Sequence, residues 1–279
     1  MLTLDARLAG LHHLLVLDST CSPADLAALA RSRYPGATWL ADDILQLEEE
    51  VTLTGPWPLD DEVRRTLDLP GWATQAWLCF CQQDRSGPLP LALEGTDPVL
   101  DAYPEAVPTG RELDTLRFLQ AVARRLGGGV HLAGTAVVLL PDPQSAVDLT
   151  VYGQEYVVAE EFLEAAGRED LQVDATIRKS FSLWAPAIPG TSQGESGVIH
   201  VLHQRAPVPF ALSGMEWAER ARMTSIRWHP PHSLLGRLQR AERHRRLEVI
   251  RQIEALARIA VELSGGGVAI DDDGFVVAL

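Results

Sequence analysis

Residues 88–95 read Pro-Leu-Pro-Leu-Ala-Leu-Glu-Gly, and residues 207–214 read Pro-Val-Pro-Phe-Ala-Leu-Ser-Gly. Five of the eight positions are identical and two more exchange one apolar residue for another. A second match follows in both halves. Gly-Gly-Gly-Val ends an amphipathic helix at Gly127 to Val130 and again at Gly265 to Val268. A third match is weaker: Leu26 to Ala30 resembles Leu163 to Gly167. The copies are displaced by 137 residues (26 to 163), 119 residues (88 to 207) and 138 residues (127 to 265), close to half of the 279-residue chain. Three matches in one order read as a duplication. The two copies are expected at 1–143 and 144–279, joined near Pro141-Asp-Pro-Gln144, which is too proline-rich for a helix or a central strand.

Within the first copy, His12 to Asp18 reads as a strand. Ser22, Pro23 and Asp25 then form an N-cap, an N1 proline and an acidic first turn for a helix through Arg33. Ala37 to Glu48 and Gln75 to Gln83 read as strands. Leu113, Leu116, Leu119, Ala123 and Leu126 mark a second helix. The later copy has its own helical stripe, Val249, Ile253, Leu256, Ala260 and Leu263, and a tight turn at Asp273-Gly274. The order predicts an α+β protein: a tandem ferredoxin-like βαββαβ unit, with two antiparallel sheets packed as a pseudo-dimer. Paired prolines two residues apart remove two donors from one strand edge, so the Pro-x-Pro-x-Ala-Leu segments are expected as blunted edge strands.

The composition is 46% hydrophobic and 22% charged, that of a globular chain. The net charge of −14 disfavours nucleic acid and anionic membranes. No stretch approaches the ~18 apolar residues of a spanning helix. His12, His13 and Asp18 break the one apolar run near the start, which argues against a signal peptide. Three cysteines make no disulfide framework and fit a cytoplasmic protein. One lysine against 23 arginines reads as the bias of a GC-rich bacterial genome.

Candidate chemistry is sparse. Val173, Ala175, Ile177, Phe181 and Leu183 alternate with polar residues, and the single lysine, Lys179, falls on the apolar parity. Asp43 interrupts a similar run 136 residues earlier (43 to 179). An isolated buried charge needs a partner, so Asp43 and Lys179 are candidates for an inter-domain pair or site, or for solvent-facing strand ends. Cys79 and Cys81 share one strand face, with Cys79 aligned to His200 and with His203 close behind. The spacing is poor for zinc, and no metal or cofactor is expected. His229-Pro-Pro-His232 reads as a solvated loop pair, and Asp271-Asp-Asp-Gly274 as a turn. There is no phosphate-binding P-loop, no Gly-x-Ser-x-Gly and no His-Glu-x-x-His.

Charge is uneven. Residues 1–143 carry net −10, whereas 220–258 carry ten arginines against three glutamates. Arg240, Arg243 and Arg246 are candidates for meeting a protein or small-anion partner, the acidic first copy or a second subunit. The reading is a non-enzymatic binding or interaction module with a groove between two homologous domains, with a homodimer as one assembly. The alternative is an enzyme using Asp43 and Lys179 or the Cys79, Cys81 and His200 positions.

Overall fold

The computed structural model describes residues 4–231 and 240–279, and of Arg240 only the backbone. The chain divides into two compact units, Met1–Ser145 and Ala146–Leu279. The first contains α1 (Ala6–Ala9), β1 (His13–Leu17), α2 (Pro23–Arg33), β2 (Thr38–Ala41), β3 (Ile44–Glu48), β4 (Val51–Pro58), α3 (Asp61–Thr66), β5 (Gln75–Phe80), α4 (Pro98–Asp101), α5 (Gly110–Leu126), β6 (Gly129–His131) and β7 (Val138–Leu139). The second contains β8 (Leu149–Gly153), α6 (Ala159–Ala166), β9 (Gln172–Ile177), β10 (Ser180–Pro186), α7 (Gln193–Ser196), β11 (Val198–Arg205), β12 (Arg222–His229), α8 (Arg240–Leu263), β13 (Val268–Asp271) and β14 (Val276–Val277).

Each unit is α+β with one seven-stranded antiparallel sheet. The strand orders are β2-β3-β4-β5-β1-β6-β7 and, read from the matching edge, β9-β10-β11-β12-β8-β13-β14. The two sheets therefore follow one path, strand for strand. That path is not βαββαβ: four strands, not two, lie between the main helices, and a hairpin closes each unit. The expected single strands at Ala37–Glu48 and Val173–Leu183 fold back at Asp42-Asp43 and Arg178-Lys179. Neither turn contains the glycine, asparagine or proline that usually marks one.

The Pro-x-Pro-x-Ala-Leu copies are also reassigned. One follows β5; the other follows β11, the counterpart of β4. They are not topologically equivalent, which accounts for their discordant offset. Neither is a strand. Pro90 and Pro209 are extended (φ −61° and −64°) and lead into short 3-10 turns, Leu91–Leu93 and Phe210–Leu212. The motif encodes a local turn, used at two different places.

Local chemistry accounts for the helix ends. Ser22 Oγ accepts the Asp25 amide, and the Asp25 carboxylate accepts the Ser22 amide at 2.9 Å, with Pro23 in the first turn of α2. Ser22→Ala is expected to cost about 1 kcal/mol by chemical denaturation; no change would remove this cap from the account. Gly127 (φ 65°) closes α5, because a left-handed residue is least costly without a side chain.

In the first unit β1 is buried along its length. Leu14 and Val16 pack with Leu59, Val63 and Leu67 on one face. His13, Leu15 and Leu17 face the opposite way, toward α5. In the second unit Val151, Phe181, Leu183, Val201 and Ile226 form one core with Phe162 of α6 and Ile253, Leu256 and Ala260 of α8. Among the described residues, no helix is long and apolar enough to cross a membrane.

Candidate anion site

Strand register assembles the most distinctive group of side chains. In the second unit Phe181 lies opposite His203, and His203 opposite Thr224. These three side chains share the helix-facing side of the sheet. One step toward the rim on that side come Arg205 and Arg222, with Lys179 in the adjacent turn between β9 and β10. Arg205 and Arg222 are direct cross-strand partners. Two cations facing each other in a ladder repel. Among the described residues none of the three cations is paired with a carboxylate.

Tyr156, between β8 and α6, lies beside two of them. The Arg222 guanidinium lies 5.5 Å and the Lys179 ammonium 5.9 Å from its ring centroid. Such cation–ring contacts offset part of the repulsion. Behind them His203 is 1% exposed. Its ring stacks on Phe181 at 5.1 Å and tilts against Tyr156 at 5.5 Å. Its Nδ1 is 3.0 Å from the Thr224 hydroxyl, while its Nε2 has no hydrogen-bond partner among the described residues. Burial, then the charge of Arg222, push the imidazole down to about 4. Arg178, at the hairpin tip, holds a left-handed φ of 56°. That conformation costs a non-glycine residue roughly 1–2 kcal/mol.

The first unit does not repeat these charges. Equivalent registers place Pro58 opposite Gln75 where Arg205 faces Arg222. Asp43 takes the turn position of Lys179. The Gln75 amide nitrogen donates to the Asp18 and Cys21 carbonyls at 2.6 and 2.8 Å. The scaffold thus accommodates these positions without cations.

The other sequence candidates are placed as follows. Asp43 and Lys179 are both exposed in hairpin turns, the solvent-facing of the two placements the sequence allows, since apolar parity does not survive a two-residue turn. Cys79 is buried opposite His13 on β1. By register its counterpart is Ile226, not His200, since Leu149 and Ile226 pair as His13 and Cys79 do. His200 belongs to the other face of its sheet, where its Nε2 is 2.7 Å from Ser182 Oγ. Ser182 also reaches Asp174 Oδ2 at 3.3 Å. The aspartate therefore meets the serine and not the imidazole, which is not the arrangement of a hydrolase triad. Among the described residues no three His, Cys, Asp or Glu side chains are grouped to hold a metal. On α8, Arg243 is exposed, and Arg246 is 6% exposed and cannot serve as a surface anion contact. The Arg240 side chain and His232 lie outside the described residues.

A polar cluster that the sequence does not announce lies in the first unit. Glu112, in the first turn of α5, is 0% exposed. It accepts from His13 Nε2 at 3.0 Å, from Arg85 at 2.5 Å and from the Asp84 amide at 2.9 Å. The Ala133 amide donates to His13 Nδ1 at 3.1 Å, which fixes the other nitrogen as the proton carrier. Arg85 also lies 3.7 Å over the Tyr103 ring. The Glu112 carboxylate and both His13 nitrogens are thereby satisfied, while the buried Arg85 Nε has no partner among the described residues.

Comparison with protein-family models, curated proteins and solved structures finds no match to this chain.

Proposed function

We propose that the protein is a non-enzymatic binding module built from two homologous α+β units, in which the second unit captures an anionic ligand. The supporting observation is a group of three cations that meet no carboxylate among the described residues, Lys179 and Arg222 over Tyr156 and Arg205 facing Arg222 and donating to the Glu219 carbonyl at 3.4 Å, in a chain of net charge −14. A charge arrangement that costs stability is retained where a ligand compensates it. The shared strand path of the two sheets supports a duplication, with Asp43, Pro58 and Gln75 in the first unit at the positions of Lys179, Arg205 and Arg222 in the second.

Calorimetric titration with inorganic phosphate at low ionic strength tests this reading. Arg205→Gln with Arg222→Gln is expected to weaken binding at least tenfold, as the loss of hydrogen bonds to a charged group implies. Arg243→Gln on α8 is expected to leave it unchanged. Affinity should fall as salt rises. Loss of binding in the α8 variant alone would move the site to that helix, and absence of binding in the parent protein would discard the reading.

A further inference from the structure

We infer that the ligand is a small phosphate monoester, its phosphoryl group on the Lys179, Arg205 and Arg222 row and its organic body in the cleft beside Arg205. This rests on the anion reading above and adds the class of ligand.

An open cleft of about 700 Å³ adjoins the row, and Arg205 belongs to both. The volume lies in the range of small-molecule sites. Ala206, Pro207, Val208 and Ala218 supply apolar wall. Glu219 also lines the cleft. A carboxylate there disfavours a second negative charge on the body, so the anionic end belongs at the rim. The net charge of −14 similarly opposes a long polyanion.

The cleft exists because of one loop. Between β4 and β5 the first unit carries α3, whose Val63 packs with Leu59 and Leu67 against the sheet. Between β11 and β12 the second unit instead carries the proline turn Phe210–Leu212 and a further turn, Ala218–Arg220. Pro207 and Pro209 limit the backbone of one wall, which lowers the ordering cost of binding. The buried His203 Nε2 without a partner lies behind Tyr156, one row in from the cations.

Phenyl phosphate, inorganic phosphate and phenol separate the two parts. Phenyl phosphate is expected to bind at least tenfold tighter than phosphate, and phenol not to bind measurably. Ala218→Trp, which fills the cleft, should reduce phenyl phosphate to the affinity of phosphate while leaving phosphate unchanged. Val208→Ser should act in the same direction and guards against a folding defect in the first variant. Arg222→Gln should weaken both phosphates. Equal affinities for the two phosphates, or indifference to both cleft variants, would overturn this inference and leave the anion reading standing. Failure of both phosphates to bind would overturn both. A clear preference for heparin or single-stranded DNA over phenyl phosphate would replace the small ligand with a polyanion.

Discussion

Glu112→Ala is expected to destabilise the first unit by about 3–5 kcal/mol, the range for breaking a buried charge network by removing one partner. Three donors lose their acceptor at once: His13 Nε2, the Arg85 guanidinium and the Asp84 amide. Urea unfolding followed by tryptophan fluorescence measures it, since Trp77 is buried in the same unit. Repair should come from the second unit. Aligned at their C-terminal ends, α5 and α8 place Leu116, Leu119 and Ala123 with Ile253, Leu256 and Ala260, and Glu112 then falls on Val249. His13 and Cys79 correspond to Leu149 and Ile226, which pair directly. One scaffold therefore holds Glu112, His13 and Cys79 in one unit where the other holds Val249, Leu149 and Ile226. The combined variant Glu112→Val, His13→Leu and Cys79→Ile should recover most of the loss, because Arg85 can turn to solvent. A loss below about 1 kcal/mol in the single variant would show that water replaces the carboxylate. The cluster is also acid-sensitive. Burial alone would push the Glu112 carboxyl up, but His13 and Arg85 outweigh it and hold it below its ordinary value. Its contribution is full above that ordinary value and is lost as pH falls through the folded one.

Local signals make part of this fold legible from sequence. The Ser22-Pro23-Asp25 cap, the 3.6-residue stripes of α5 and α8 and the Gly127 terminus each act within a few residues of chain. The meander is harder. Arg178 turns the chain with a positive φ that sequence patterns assign to glycine, so β9 and β10 read as one strand. The repeated proline motif identifies two halves but misaligns them, because it encodes a turn and not a position in the topology. Lys179 stands out in sequence by its rarity and parity. Arg205 and Arg222 do not: they lie seventeen residues apart and meet only through the register of β11 and β12. Glu112 is equally silent, since 99 residues separate it from His13. Pairing across a sheet, not spacing along the chain, creates both clusters.

Acidification is expected to cost the second unit about 3 kcal/mol between pH 6.5 and pH 4, through His203 alone. The imidazole is 1% exposed and is held down to about 4 by burial and by Arg222. Unfolded, it titrates at its ordinary 6.5. A depressed folded value means that the unfolded chain binds the proton first. The stabilising contribution is therefore present above pH 6.5 and is lost progressively as pH falls toward 4. No carboxylate pairs with the ring to reverse the sign; its neighbours are Phe181, Tyr156, Thr224 and the Arg222 charge. His203→Phe with Thr224→Val keeps a ring on Phe181 and removes both the titrating group and the hydroxyl that would lose its partner. Comparing unfolding free energies of the two proteins at pH 7 and pH 4 isolates the imidazole, since every other titrating group is common to both. The parent should lose about 3 kcal/mol more than the variant. Equal losses would place the folded imidazole near its ordinary value. That result would require water to reach the ring, because burial outweighs the Arg222 charge in holding the imidazole down.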